Sequence, residues 1–233
     1  MHFFQLAWLL PSWCYLSIIE REQLSFPYFS KADVMKFNPL LLLVFVLLAN
    51  GCGSPSATPQ ELAIEAIKKL GGKVTLDKSG KVKDVVLKGT RFTDADLVHL
   101  KRMTSLQRLF LLRTKVTDAG LVHLKGLTGL EVLSLDGAKV TDVGLVHLKG
   151  MASLQSLFLY DTMVTDSGLV HLNRLVNLNE LYLNSTKITN AGLVHLEKMT
   201  CLQRLYLVST NVTEAGVKDL QTDLPKCDIR WKW

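Results

Sequence analysis

The tetrapeptide Leu-Val-His-Leu recurs five times along the chain at a constant spacing of 24 residues. The copies occupy 97–100, 121–124, 145–148, 169–172 and 193–196, and a weaker sixth copy, Val-Lys-Asp-Leu, occupies 217–220. A fixed period of this length is typical of chains that stack one small structural unit on the next. Because the repeats take up most of the 233 residues, we predict a single repeat domain.

Each repeat combines a strand pattern with a helix pattern. In the copy at 106–124, Leu109 and Leu111 are two residues apart, which places both side chains on one face of a strand. Leu121 and Leu124 are three residues apart, as on one face of a helix. Neither element can bury its apolar face alone, so stacked copies must share one continuous core.

The complete pattern, LxxLxLxxTxVTDxGLxxL, resembles that of the leucine-rich repeat family. The resemblance covers residues 82–225 as six repeats without an insertion. It implies an α/β fold, a horseshoe-shaped solenoid with a parallel β-sheet on the concave face and short helices on the convex face. It also implies a non-enzymatic protein that binds a protein partner on its concave face.

Threonine fills most of the column after the strand, where many leucine-rich repeats place asparagine. The column reads Thr90, Thr114, Ala138, Thr162, Thr186 and Thr210. A threonine hydroxyl has one donor and two acceptor sites, so we expect a thinner ladder of hydrogen bonds between neighbouring turns. At Ala138 we expect water or a backbone shift to satisfy the turn.

A second column places threonine and an acidic residue at the start of each helix. The pairs are Thr93-Asp94, Thr117-Asp118, Thr141-Asp142 and Thr165-Asp166, followed by Thr189-Asn190 and Thr213-Glu214. We expect the threonine to cap free N–H groups of its own helix, and the acid to interact favourably with the helix dipole.

The segment before the repeats is expected to shield the open end of the core, as stacked repeats require. Residues 61–81 predict a helix that ends at Gly71-Gly72 and then a hairpin around the polar turn at 77–80. The second strand of this hairpin would serve as the first strand of the repeat sheet.

The segment after the repeats is expected to close the other end. Residues 226–233 predict a seventh repeat strand in which Trp231 covers the last leucines, and Pro225 ends the helix before it. Cys201 and Cys227 fall in adjacent turns, and the sequence leaves open either a disulfide or two free thiols.

The start of the chain predicts export and a lipid anchor. Residues 35–51 have the layout of a secretory signal, in which Met35-Lys36 supplies positive charge and a short apolar run follows. The small residue before Cys52 resembles the lipobox of bacterial lipoproteins, which implies lipidation of that cysteine. Residues 52–60 are interpreted as a flexible linker, and residues 1–34 as a doubtful extension upstream of the true start at Met35. The alternative is an internal apolar helix with a chance cysteine.

Other functional classes find little support in the sequence. One histidine recurs at the same position in five repeats, which raises the hypothesis of a metal site. Neighbouring helices about 10 Å in diameter, however, cannot easily bring two imidazoles to one zinc with bonds of about 2.0–2.1 Å. We therefore predict no metal site and no cofactor. No phosphate-binding loop or nucleophile motif is present in the sequence, which favours a protein that is not an enzyme. The net charge of +6 is spread along the repeats, so we expect no nucleic acid partner. The histidine column behind the metal hypothesis is His99, His123, His147, His171 and His195.

The strand face opposite the core leucines carries the candidate binding residues. Its middle column reads Val86, Phe110, Ser134, Phe158, Tyr182 and Tyr206. Exposed aromatic residues mixed with arginine are typical of interaction hot spots, although aromatic residues also simply favour strands. The predicted protein-binding residues are Arg108, Phe110, Phe158, Tyr160, Glu180, Tyr182, Arg204 and Tyr206.

The sequence therefore predicts a monomeric, extracytoplasmic domain that is anchored to a membrane through Cys52 and binds an unknown protein partner. Two other functions remain open. One is an intracellular leucine-rich repeat adaptor or inhibitor in the cytoplasm, which requires the signal at 35–51 to be spurious. The other is a structural envelope protein whose concave face binds no specific ligand.

Overall fold

The computed structural model describes residues 58–89 and 91–232. The predicted signal segment, Cys52 and Thr90 lie outside the described residues. Residues Ala57–Trp233 form one compact unit. The core of this unit runs without a break from Ala63 to Ile229 and is capped at both ends, which is what an independently folding domain needs.

The unit begins with a helix at Pro59–Lys69. Its start is fixed by a capping box, in which the Glu61 amide donates to Thr58 Oγ1 over 3.2 Å and the Thr58 amide donates to the Glu61 carboxylate over 2.7 Å. The helix therefore starts before residue 61, and the end of the predicted linker at 52–60 is helical instead. The Thr-x-x-Glu spacing is the sequence signal for this earlier start.

Eight strands form one sheet in sequence order. The first, β1 (Lys73–Leu76), pairs antiparallel with β2 (Val82–Lys88), and every later neighbour pairs in parallel. The hairpin and its shared second strand are thus as predicted. The remaining strands are β3 (Arg108–Leu112), β4 (Val132–Ser134), β5 (Ser156–Phe158), β6 (Glu180–Tyr182), β7 (Arg204–Tyr206) and β8 (Asp228–Arg230).

The register of the sheet reproduces the sequence period. Leu109 pairs with Leu133, and Leu133 pairs with Leu157, so each residue lies beside its equivalent in the next repeat. The inward leucines of the five central strands are all 0% exposed: Leu109, Leu133, Leu157, Leu181 and Leu205. Burying each such side chain contributes about 1.5–3 kcal/mol before the loss of chain entropy is counted.

The helical half of each repeat is short. Single α-turns occupy Asp118–Leu121, Asp142–Leu145, Asp166–Leu169 and Asn190–Leu193, while 3₁₀ turns occupy Asp94–Leu100, Val122–Leu124 and Val146–Leu148. One turn is too short to be stable alone. Packing of buried leucines such as Leu121 and Leu124 against the shared core stabilises it instead.

Among the threonines of this column that the structure describes, 114 to 210, the predicted ladder between turns does not form. The hydroxyls of Thr162, Thr186 and Thr210 donate within their own turns, to the carbonyls three residues earlier, over 2.6–2.8 Å. The prediction was wrong because these three hydroxyls find a carbonyl in their own tight turn, while Thr114 Oγ1 is buried without a hydrogen-bond partner. At Ala138 the backbone takes over, since its amide donates to the Leu135 carbonyl over 3.0 Å.

The ladder between repeats is made instead by the acidic residue at the helix start. Asp142 accepts from the amide and the hydroxyl of Thr165 in the next repeat, over 2.7 and 2.6 Å. Threonine also caps its own helix, as predicted, because Thr117 Oγ1 accepts from the Ala119 amide. The same bridge joins Asp94 to Thr117, Asp118 to Thr141, Asp166 to Thr189 and Asn190 to Thr213.

The C-terminal helix, Glu214–Asp223, ends before Pro225 as predicted. Strand β8 then places Ile229 beside Leu205, and Trp231 packs partly buried against the core. Cys201 is exposed, Cys227 is buried, and both are free thiols. Burial raises the pKa of the Cys227 thiol to about 11. Among the described residues, no helix is both long and apolar enough to cross a bilayer.

Candidate functional site

Three aromatic rings form a continuous stack on the concave face of the sheet. They belong to Phe158, Tyr182 and Tyr206, which are paired in register on β5, β6 and β7. The ring centroids of Phe158 and Tyr182 are 4.2 Å apart with an interplanar angle of 13°, and those of Tyr182 and Tyr206 are 4.4 Å apart at 6°. The spacing of parallel strands, about 4.8 Å, holds the rings face to face and turns their edges towards solvent.

A guanidinium group extends the stack at its C-terminal end. The Cζ atom of Arg230 lies 5.5 Å from the centroid of the Tyr206 ring, within the range of a cation–π contact. Arg230 is exposed and is held by an ion pair with Asp228 over 2.9 Å. The predicted site did not include Arg230, although it lies 24 residues after Tyr206 and the period alone would have found it.

The stack is interrupted on its N-terminal side. Phe110 lies in the same column on β3, but Ser134 of β4 separates it from Phe158. Ser134 is 1% exposed, and its hydroxyl donates to Asp136 over 2.9 Å. Phe110 and Arg108 therefore belong to a separate N-terminal patch, whereas the other predicted binding residues gather around the three rings.

Charged pairs flank the aromatic column on the same face. Arg108 binds both carboxylate oxygens of Asp84 over 2.7 Å each, and this bidentate contact lowers the pKa of Asp84. Arg204 forms an ion pair with Glu180, whose carboxylate also accepts from the Tyr182 hydroxyl over 3.3 Å. The pairs fix the orientation of side chains that would otherwise be mobile.

The third column of the face combines an exposed aromatic with an acid. Tyr160 is 45% exposed, and its amide donates to Asp136 Oδ1 over 3.0 Å. Burial raises the pKa of the Asp136 carboxyl, against the opposing effect of its hydrogen bonds. Asn184 makes the equivalent bond, accepting from the Val208 amide over 2.9 Å.

The histidine column lies on the convex side, and all five histidines are half-buried. Among the described residues, no group of three or more potential metal ligands comes together. Burial and the charge of Lys149 lower the pKa of His171. The concave face carries aromatic, guanidinium and carboxylate groups, and the histidine column lies away from them.

Solved structures of bacterial proteins share this fold. An internalin (inlF) of Listeria monocytogenes matches with a TM-score of 0.53 at 18% sequence identity, over 74% of this chain and 55% of that chain. An internalin C2 of the same species matches with a TM-score of 0.55 at 24% identity, over 73% of this chain and 74% of that chain. This chain thus spans little more than half the length of the first of them.

No protein-family model matches the sequence, and no curated protein matches it. The structural similarity, together with the in-register sheet, establishes the fold as an α/β leucine-rich repeat solenoid with its parallel strands on the concave face and short helices on the convex face.

Proposed function

We propose that this protein is a non-enzymatic binding module that holds a protein partner against the aromatic stack of its concave face. The observation that carries the proposal is the parallel stack of Phe158, Tyr182 and Tyr206, continued by the guanidinium of Arg230. The rings lie on the face opposite the core leucines and remain partly exposed. Aromatic residues and arginine are the types that dominate binding energy in protein interfaces.

The arrangement of the rings supports binding for a second reason. A stacked ring loses little further rotamer freedom when a partner covers it, so the entropic cost of association is reduced. Arg204 and Arg230 are likewise held by carboxylates before any partner arrives. A partner that offers apolar and acidic groups would complement this surface.

Paired alanine substitutions test the proposed face. The Phe158→Ala/Tyr182→Ala variant of residues 57–233 should capture at least tenfold less of its partner from an envelope extract, since a single hot-spot residue contributes about 2 kcal/mol or more. The matched control is Val146→Ala/Val170→Ala, which removes two exposed apolar side chains from the convex side. The control should capture as much as the unmodified domain.

Thermal unfolding of both variants separates binding from folding. Loss of the stacking contacts should cost only about 1–3 kcal/mol, because each aromatic pair contributes about 0.5–1.5 kcal/mol beyond its buried area. If the concave variant unfolds at the assay temperature, the stack is structural. If the folded concave variant captures the partner normally, the proposed face is wrong.

The proposal also includes export and attachment to a membrane through a lipid on Cys52. It is supported by the order of positive charge, apolar run, small residue and cysteine over 35–52. The mature N-terminal peptide should begin at Cys52 and carry a diacyl or triacyl mass, and the Cys52→Ser protein should lack that mass. An unmodified peptide that begins at Met1 or Met35 would contradict the lipid anchor.

A further inference from the structure

Three cationic side chains surround one open cleft at the N-terminal end of the solenoid. The cleft lies between the end of the N-terminal helix and the loops that follow β2 and β3, and it is lined by Leu70, Gly71, Lys88, Gly89, Arg91 and Lys115. The described residues of its lining carry no carboxylate. Lys88, Arg91 and Lys115 are all exposed, and none takes part in the ion pairs found among residues 58–89 and 91–232.

The backbone ties one of these cations to the cleft and sets two of them side by side. The Nη1 atom of Arg91 donates to the Leu70 carbonyl over 3.4 Å, which ties the guanidinium to the rim of the cleft. The Lys115 amide donates to the Phe92 carbonyl over 2.8 Å, so neighbouring repeats present Arg91 and Lys115 side by side. Lys139 continues the same exposed column in the next repeat.

Two glycines line the cleft. Gly71 and Gly89 both have positive φ, at 86° and 98°. A Cβ atom added at Gly89 would meet nothing within 4 Å, so that part of the cleft is open space. A bulky anion can therefore approach the cations without displacing a side chain there.

We infer that this cleft binds the anionic phospholipid headgroups of the membrane that carries the protein. The inference rests on the proposed lipid anchor. The linker from Cys52 to Thr58 can span at most roughly 20 Å, and the eleven-residue N-terminal helix adds about 16 Å before the cleft is reached. The anchor would thus keep the three cations within roughly 40 Å of the bilayer surface, where the effective concentration of headgroups is high.

A lipid chain and a basic cluster act together in membrane attachment. A basic patch is a known signal that supplements acyl chains in membrane attachment. Each lysine or arginine near an anionic surface strengthens binding about fivefold. Contact through this cleft would also restrict the orientation of the domain relative to the bilayer.

Vesicle sedimentation with the lipid-free domain tests the inference. Residues 57–233 should bind vesicles of equal parts phosphatidylglycerol and phosphatidylcholine at least tenfold more tightly than pure phosphatidylcholine vesicles. The Lys88→Gln/Arg91→Gln/Lys115→Gln variant should lose tenfold or more of this binding. The matched control, Arg174→Gln/Lys198→Gln/Lys226→Gln, removes the same charge elsewhere and should stay within threefold.

Equal losses in the two variants would mean that only net charge matters and would overturn the inference, as would equal binding to both kinds of vesicle. Displacement by inorganic phosphate, but not by chloride at the same ionic strength, would assign the cleft to a free phosphate anion instead. Circular dichroism of both variants checks folding. Because the assay uses no lipid anchor, its failure is distinct from an unmodified Cys52 in the mass measurement.

Discussion

At the scale of single residues, one carboxylate joins each repeat to the next. Asp142 accepts two hydrogen bonds from Thr165, so Asp142→Ala should leave a half-buried amide without its partner and cost about 2–3 kcal/mol in unfolding free energy. Asp142→Asn should cost less than about 1 kcal/mol, because Asn190 accepts from the Thr213 amide in the same way and donates its own Nδ2 to the Thr213 hydroxyl. Urea denaturation measures both values. Equal costs for the two variants would mean that charge, and not hydrogen bonding, is what the bridge supplies.

The ionisation of Asp136 should change the unfolding free energy with pH in the opposite sense to that of a carboxylate in a surface ion pair. Burial raises its pKa in the folded protein, so the folded state binds this proton more tightly than the unfolded state. Its contribution to stability should therefore fall as the pH rises from the ordinary carboxyl pKa through the raised one.

The Asp136→Asn variant should remove this pH dependence and be more stable than the unmodified protein at pH 7. Asn184 shows that an amide fits the equivalent position. Unfolding free energies at pH 3 and pH 7 measure the effect. A variant that is less stable at pH 7 would show that the carboxylate is preferred in its ionised form.

Sequence analysis identified the threonine and aspartate at each helix start but assigned only their local roles. Capping rules consider neighbours within one turn, whereas Asp94 binds Thr117, 23 residues away. The signal was the glycine two residues after the first helical residue in every repeat but the first, at 120, 144, 168, 192 and 216. A Cβ atom at Gly144 would collide with the carboxylate of Asp118, so the bridge and the glycine require each other.

At the scale of elements, the turn after each strand requires a left-handed residue. The column contains Gly89 and Gly137 but also Arg113, Asp161, Ser185 and Ser209, all with positive φ. Ser185 has φ of 56°, a conformation that costs a residue with a Cβ about 1–2 kcal/mol.

Glycine should therefore relieve strain at Ser185. Ser185→Gly should raise the unfolding free energy by about 1 kcal/mol, while the same change at Ser153, where φ is not positive, should lower it by about 0.5–1 kcal/mol. Thermal or urea unfolding of the pair tests the sign. Destabilisation at both positions would mean that the left-handed turn carries no strain.

The order and type of the elements followed from the sequence because the inward leucines repeat with both a strand and a helix spacing. The lengths of the elements did not follow from the sequence, because packing sets how far each strand and helix continues. The helix starts at Pro59, earlier than predicted, because Thr58, which the sequence places in the linker, forms a capping box with Glu61. Nothing in periodicity alone distinguishes a single α-turn from the 3₁₀ turn that follows it.

At the scale of the whole molecule, the period of 24 residues explains why the neighbours on the concave face could be predicted from the sequence. In-register stacking turns each sequence column into a row of neighbours, so Phe158, Tyr182 and Tyr206 had to lie side by side. Their parallel stacking and the ion pairs beside them depend on side-chain rotamers, which spacing does not determine. Arg230 was missed because the columns were followed only through the sixth repeat.

Site-specific photo-crosslinking in cells tests most directly whether the concave face binds a partner. A benzophenone amino acid at Phe158 or Tyr160 should give the same discrete crosslinked protein from both positions. The same amino acid at Val146 or Val170, which are exposed on the convex side, should give none. Identical adducts from both faces, or adducts from the convex positions alone, would contradict binding through the aromatic stack.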